Sequence, residues 1–248
     1  MRGDIGNMNK LFNIILFLSL SVAADNEIYV DQSGNSASID LEQLGSSNLI
    51  GGTDASSGNM TALDLDGVSM TLDINQIGTS NIFRSDAIDG DNFTGYFEWN
   101  GDSNIFDILM NSTGLISADY VDLNIDVTGS SNEFDLAIAE DDDASYLDLD
   151  WIILGDSNEL TFAIDYANAT SYVDIYGNSN QIDFSGSGYG GTSSADSGYF
   201  YLDLDGSSND IDITQSSTLA RDYFKLITNT SNSSICIVQN DQGTSTGC

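Results

Sequence analysis

The chain has 248 residues, of which 39 are acidic and five basic, for a formal charge of −34. That balance excludes nucleic acid and anionic membrane surfaces as partners, since both are held by Lys and Arg. Such acidity often accompanies disorder, but 11 Tyr, 11 Phe and two Trp, many in phase with a repeat, argue for a folded core.

Residues 1–24 read as a secretory signal. Lys10 is the charged start, residues 11–22 are an apolar run too short to span a membrane, and Val22-Ala23-Ala24 offers small residues for cleavage before Asp25. No later segment is apolar enough to cross a bilayer. The mature chain is expected outside the cell or at its surface.

Residues 25–239 form one repeat domain. Residues 26–44 open it, with an arc of their own at Gly34-Asn35. The motif Gly-x-Ser-Asn then recurs, beginning at Gly45, Gly78, Gly101, Gly129, Gly155, Gly177 and Gly206. A degenerate eighth copy spans Asn229 to Asn232. A period of this size signals stacked repeats.

Four residues before each Gly stand Leu41, Ile74, Phe97, Ile125, Trp151, Val173 and Leu202. Two after each Asn stand Ile50, Phe83, Phe106, Phe134, Leu160, Ile182 and Ile211. The residues three before the Gly are Glu42, Asn75, Glu98, Asp126, Ile152, Asp174 and Asp203. An apolar period of two therefore holds on both sides, which describes a strand, a bend and a second strand with one face buried. Each strand finds its partner in the next, similar unit, so the bend is an arc and not a hairpin. The predicted fold is all-β: a β-solenoid of about eight stacked strand-arc-strand coils with two parallel sheets. Gly supplies the unusual backbone angles of the arc. Asn48, Asn81, Asn104, Asn132, Asn158, Asn180, Asn209 and Asn232 are expected to stack about 4.8 Å apart as an amide ladder.

The returns between coils, at 51–68, 85–94, 111–119, 139–145, 165–171 and 185–197, are rich in Gly, Ser, Asp and Thr and read as loops. Glu140-Asp141-Asp142-Asp143 is a solvated loop or a cation site. Lys225, Leu226 and Ile227 break the inward alternation, as expected of a cap. Residues 240–248 form a tail. Cys236 and Cys248, the only cysteines, are expected to pair in an exported protein and to close this end, at roughly 3 kcal/mol.

Outward positions carry two further patterns. Stacking places Asp107 over Asp135, Asp183 over Asp212, and Asp174 over Asp203. Tyr172 and Tyr201, with Phe224 at the equivalent place and Tyr199 beside them, form an outward aromatic row.

Gln43-Leu-Gly45-Ser-Ser-Asn48 and Gln76-Ile-Gly78-Thr-Ser-Asn81 resemble the Gln-x-Gly-x-x-Asn core of curlin repeats. The stretch from Tyr29 to Gln43 is similar to curlin spacing of Gln, Gly, Asn and Ala. The resemblance implies a β-solenoid subunit of secreted amyloid-type surface fibres. After Gln76 the position two before the Gly carries Trp, Val, Ile or Leu, so an apolar core largely replaces the inner Gln ladder.

The chain contains no His and no Pro. Without His, and with no reactive Cys context, no nucleophile and base stand together, so no catalytic or cofactor-binding residue is assigned and an enzyme is not expected. Calcium, held by the acidic rows, is the one candidate cofactor. The expected function is a structural subunit of a curli-like extracellular fibre or a surface adhesin. Expected partners are other copies, stacked head to tail, and a glycan or surface ligand. Two alternatives share the fold: the stalk of a viral or cellular receptor-binding fibre, and a polysaccharide-acting β-helix enzyme.

Overall fold

A computed structural model describes residues 26–52, 63–89, 91–110, 120–138, 144–188, 197–217 and 221–239. These residues form strands and turns and no helix. The strands that precede the arcs build one parallel sheet. It runs through Ser38–Leu44, Thr71–Ile77, Thr94–Asn100, Asp122–Thr128, Ala144–Leu154, the later half of Glu159–Tyr176, Ser197–Ser207 and Arg221–Ser231. The strands that follow the arcs build the second. It runs through Leu49–Ile50, Ile82–Asp89, Ile105–Met110, Glu133–Ile138, the first half of Glu159–Tyr176, Gln181–Gly188, Asp210–Ser217 and Ser234–Gln239. Glu27–Ile28 pairs with Leu49–Ile50 as the first strand of the second sheet. The molecule is a β-solenoid.

Register follows the motif. Ile125 pairs with Phe97 on one side and Trp151 on the other, so like stands on like. The inward residues of the two sheets meet in a thin core that includes Leu72, Trp99, Ile125, Trp151, Phe162 and Leu204, all buried. Inside it an aromatic spine passes from Phe97 through Trp99, Phe106, Phe134, Trp151, Phe162, Phe184 and Phe200 to Phe224. Consecutive ring centroids are 3.6 to 5.6 Å apart. Such contacts contribute about 0.5–1.5 kcal/mol each beyond burial.

The arc divides its labour between two residues. The Ser of the motif takes the left-handed conformation, with φ of 59° at Ser47, Ser103, Ser131 and Ser157. The Gly is required by proximity as well as by angle. At Gly129, with φ of 143°, a Cβ would lie 2.0 Å from the carbonyl oxygen of Gly101 in the preceding coil. A second column of left-handed residues, Ser36, Ser69, Asn92, Tyr120 and Tyr146, marks a further bend before the first sheet. Its first three members follow turn signals in the sequence, Gly34-Asn35, Asp66-Gly67 and Asp89-Gly90, of which only the first is read above as an arc; Tyr120 and Tyr146 follow none.

The last coil differs from the sequence expectation by one residue. Gly206 pairs with Thr230, and Asp210 with Ser234, so Ser233 stands beneath Asn209. Asn232 is not a rung of the ladder. It is exposed and holds the left-handed arc position, with φ of 57°. Its side chain suits that backbone, which is why an Asn appears there. The alternation does not break at 225–227: Leu226 faces inward beneath Leu202, while Lys225 and Ile227 point outward beneath Tyr201 and Asp203. Phe224 likewise lies inward against Phe200 and not in the outward row. The return at 165–171 is continuous strand, with register shifts where it passes from one sheet to the other. The signal at 1–24, the acidic run at 140–143, the tail at 240–248 and Cys248 lie outside the described residues; Cys236 is disulfide-bonded.

Candidate ligand-binding face

The Asn side chains are buried at the arc and join one coil to the next. The Oδ1 of Asn81 accepts both the backbone N–H and the side-chain amide of Asn48, at 3.0 and 3.1 Å. The same double acceptance recurs from Asn104 to Asn132, Asn132 to Asn158 and Asn158 to Asn180. From Asn81 to Asn104 and from Asn180 to Asn209 the backbone N–H makes the link. At the last coil the Asn209 N–H donates to the Ser233 hydroxyl at 3.1 Å. Asn26 extends the ladder upward by donating to Asn48 Oδ1 at 3.0 Å. It stands outside any Gly-x-Ser-Asn copy, so the motif could not reveal it. The inner Gln pair persists where the sequence retains it: Gln76 Nε2 donates to Gln43 Oε1 at 2.7 Å.

These ladders hold the coil together and face inward, so a ligand must meet the outer faces. The two faces differ. Beyond the second sheet runs a polar row, Arg84, Asp107, Asp135, Thr161, Asp183 and Asp212, in strict register. Arg84 Nε lies 3.4 Å from Asp107 Oδ2. Partial burial nonetheless pushes the Asp107 carboxyl above the usual carboxylate range, with Asp135 adding to the rise and Arg84 opposing it. Burial pushes Asp135 up as well.

The first sheet presents a mixed aromatic, aliphatic and acidic face. Tyr96, Ile152, Leu154, Tyr172, Tyr176 and Ile227 are exposed there. Tyr172 lies over Tyr201 with centroids 4.6 Å apart and planes 15° apart. Tyr199 lies over Tyr223 at 4.5 Å, and Tyr120 over Tyr146 at 4.7 Å. Stacked along the solenoid in this way, the rings cover one another's faces and offer edges and hydroxyls to solvent. Asp174 stands beside Asp203 in the neighbouring outward column. Its carboxyl is pushed up first by burial, then by Asp203 and Asp150. Asp148 is raised for the same reasons, by burial and then by Asp150 and Asp122.

Two shallow clefts indent this face on either side of Ile152. One, of about 300 Å³, is lined in part by Glu98, Asn100, Asp126 and Leu154. The other, of about 230 Å³, is lined by Asn124, Asp150, Trp151, Ile152, Tyr172 and Asp174. Among the described residues no group of three or more His, Cys, Asp or Glu side chains is placed to hold a metal ion. No protein family, curated protein or solved structure matches the chain.

Proposed function

We propose that the chain is a secreted structural subunit of an extracellular fibre, or a surface adhesin built on the same rod. One observation carries the reading. Coil after coil repeats the same strand-arc-strand register, and among the described residues both end coils present strand edges over partly uncovered apolar side chains. At the first end these are Ile39 and Leu41, packed against the core but only partly buried. At the last end they are Ile235 and Ile237, 36% and 39% exposed. Among the described residues, Ser38–Leu44 pairs on one side only, with Thr71–Ile77, and Arg221–Ser231 on one side only, with Ser197–Ser207. Such edges template further strands, and a second copy supplies the matching register. The curlin-like spacing of Gln43, Gly45 and Asn48 and the signal-like residues 11–22 support export and assembly of this kind.

Sedimentation and electron microscopy of the purified mature chain test the reading. Association should grow with concentration and salt and yield filaments one coil stack wide. Leu41→Lys or Ile237→Lys, each placing a charge at one end, should stop elongation and leave the β-signal intact. A strictly monomeric wild-type chain at high concentration and salt would overturn the fibre reading.

A further inference from the structure

The cleft beside Tyr172 has the makings of a ligand site. One outward column of the first sheet places Asn124, Asp150, Tyr172, Tyr201 and Lys225 on successive coils. The Tyr172–Tyr201 stack therefore has two outer ring faces. The lower one is taken: the Lys225 ammonium lies over the Tyr201 ring, 5.8 Å from its centroid. The upper one, on Tyr172, is turned toward Asp150 and the 230 Å³ cleft, where Asp174 and Asn124 also stand. None of the residues lining that cleft is basic.

We propose that this cleft binds a protonated organic amine, with the free face of Tyr172 against the ammonium and Asp150 and Asp174 accepting its N–H donors. The chain itself demonstrates the mode one coil pair away, where Lys225 caps the other end of the same stack. Charge favours the occupant: the chain carries −34 overall, and Asp174, raised first by burial, is raised further by Asp203 and Asp150 beside it. A cation held between them relieves that repulsion. An aromatic face attracts an ammonium through its quadrupole, and it offers no ligand to a hard metal ion, which seeks six or more oxygens. A neutral sugar could use the same free face of Tyr172, but it would leave the carboxylates of Asp150 and Asp174 uncompensated. The Asn124 amide can accept from a hydroxyl or a second N–H of the ligand. The ammonium can belong to an alkylamine or to an amino sugar.

Ligand-observed NMR and calorimetric titration on the mature chain test this, with butylammonium and glucosamine as probes and butanol and N-acetylglucosamine as uncharged counterparts. Both charged probes should bind at matched ionic strength, the tighter one naming the source, and their neutral counterparts should not. Tyr172→Leu should weaken the amine roughly three- to thirty-fold, whereas Tyr172→Phe, which keeps the ring, should bind as the wild type does. Asp174→Asn should weaken binding, while Asp183→Asn, the same charge change on the opposite sheet, should not. Equal losses in the two Asn variants, equal binding of the neutral probes, or no binding at all would each overturn the proposal. The site lies within one copy, so this outcome is independent of whether the chain polymerises.

Discussion

Asn132 presents both its backbone N–H and its side-chain amide to a single oxygen, Oδ1 of Asn158, at 3.0 and 3.1 Å. Both residues are 1% exposed, so no water stands ready to replace that oxygen. Asn158→Ala leaves two buried donors of Asn132 unsatisfied, each at about 1–3 kcal/mol. Asn48 sits nearer the end of the stack, and among the described residues its Oδ1 accepts the amide of Asn26 alone, which is exposed. Chemical denaturation should show a loss of roughly 2–5 kcal/mol for Asn158→Ala and a clearly smaller one for Asn48→Ala. Equal losses would mean that the ladder oxygens carry no particular share of stability.

Ser233 takes the place of an Asn beneath Asn209, and Asn232 occupies the arc. Ser233→Ala removes the acceptor of the Asn209 N–H and should cost about 1 kcal/mol. Asn232→Gly should be close to neutral, because Gly adopts the left-handed backbone at no steric cost. Melting of the two variants checks this, and the reverse order would restore Asn232 to the ladder.

The same pair shows how far the sequence could be read. Seven copies place Gly, Ser and Asn in fixed phase with two apolar strands, and that phase alone specifies both sheets, their parallel register and the burial of Ile125 or Leu160. In the eighth copy the Gly is missing, and Asn232 can be aligned either with the Asn of the motif or with its Ser. Choosing the wrong one moves the register by a residue and turns every side chain to the opposite face, which is how Phe224 and Lys225 exchange places. The outward partners Asp107 and Asp135, or Tyr172 and Tyr201, follow from the repeat and stand in register. The cleft does not, because it depends on the sizes of Asp150 and Ile152 on one coil and of Tyr172 and Asp174 on the next, across two outward columns, which no single-strand pattern encodes.

Gly45 and Gly78 share one motif position but not one environment. A Cβ on Gly45 meets nothing nearer than the Asn48 amide at 3.7 Å. A Cβ on Gly78 would lie 1.6 Å from the Gly45 carbonyl oxygen, so the coils must part to admit it. Gly45→Ala should cost only the backbone strain of its φ of 122°, of order 1–3 kcal/mol. Gly78→Ala should cost about 4 kcal/mol or more, with visible loss of β-signal. Similar denaturation midpoints for the two would argue against contact between coils at the arc.

Acid should stabilise this protein. Asp107, Asp135, Asp148 and Asp174 are all raised above the ordinary carboxylate value, chiefly by burial, and three of them also by like charges on neighbouring strands. Between the ordinary value near 3.9 and these higher folded values, the folded chain binds more protons than the unfolded chain. Stability then falls as pH rises through that window and is lowest once all four are ionised. The melting temperature at low salt should therefore climb as pH is lowered from 7 into the window, and level off below the ordinary carboxylate value. Two like charges about 5 Å apart repel by roughly 1 kcal/mol in water, and 1 M salt shortens the screening length to about 3 Å. Added salt should thus raise the melting temperature at pH 7 and narrow its gap from the acid value, leaving the part due to burial. Asp135→Asn removes one charge that desolvation disfavours and one neighbour of Asp107, so it should raise the pH 7 melting temperature and flatten the acid rise. A melting temperature that drops on entering the window, or an Asp135→Asn variant less stable than the wild type at pH 7 and low salt, would show that the carboxylate row is favourably compensated in the fold.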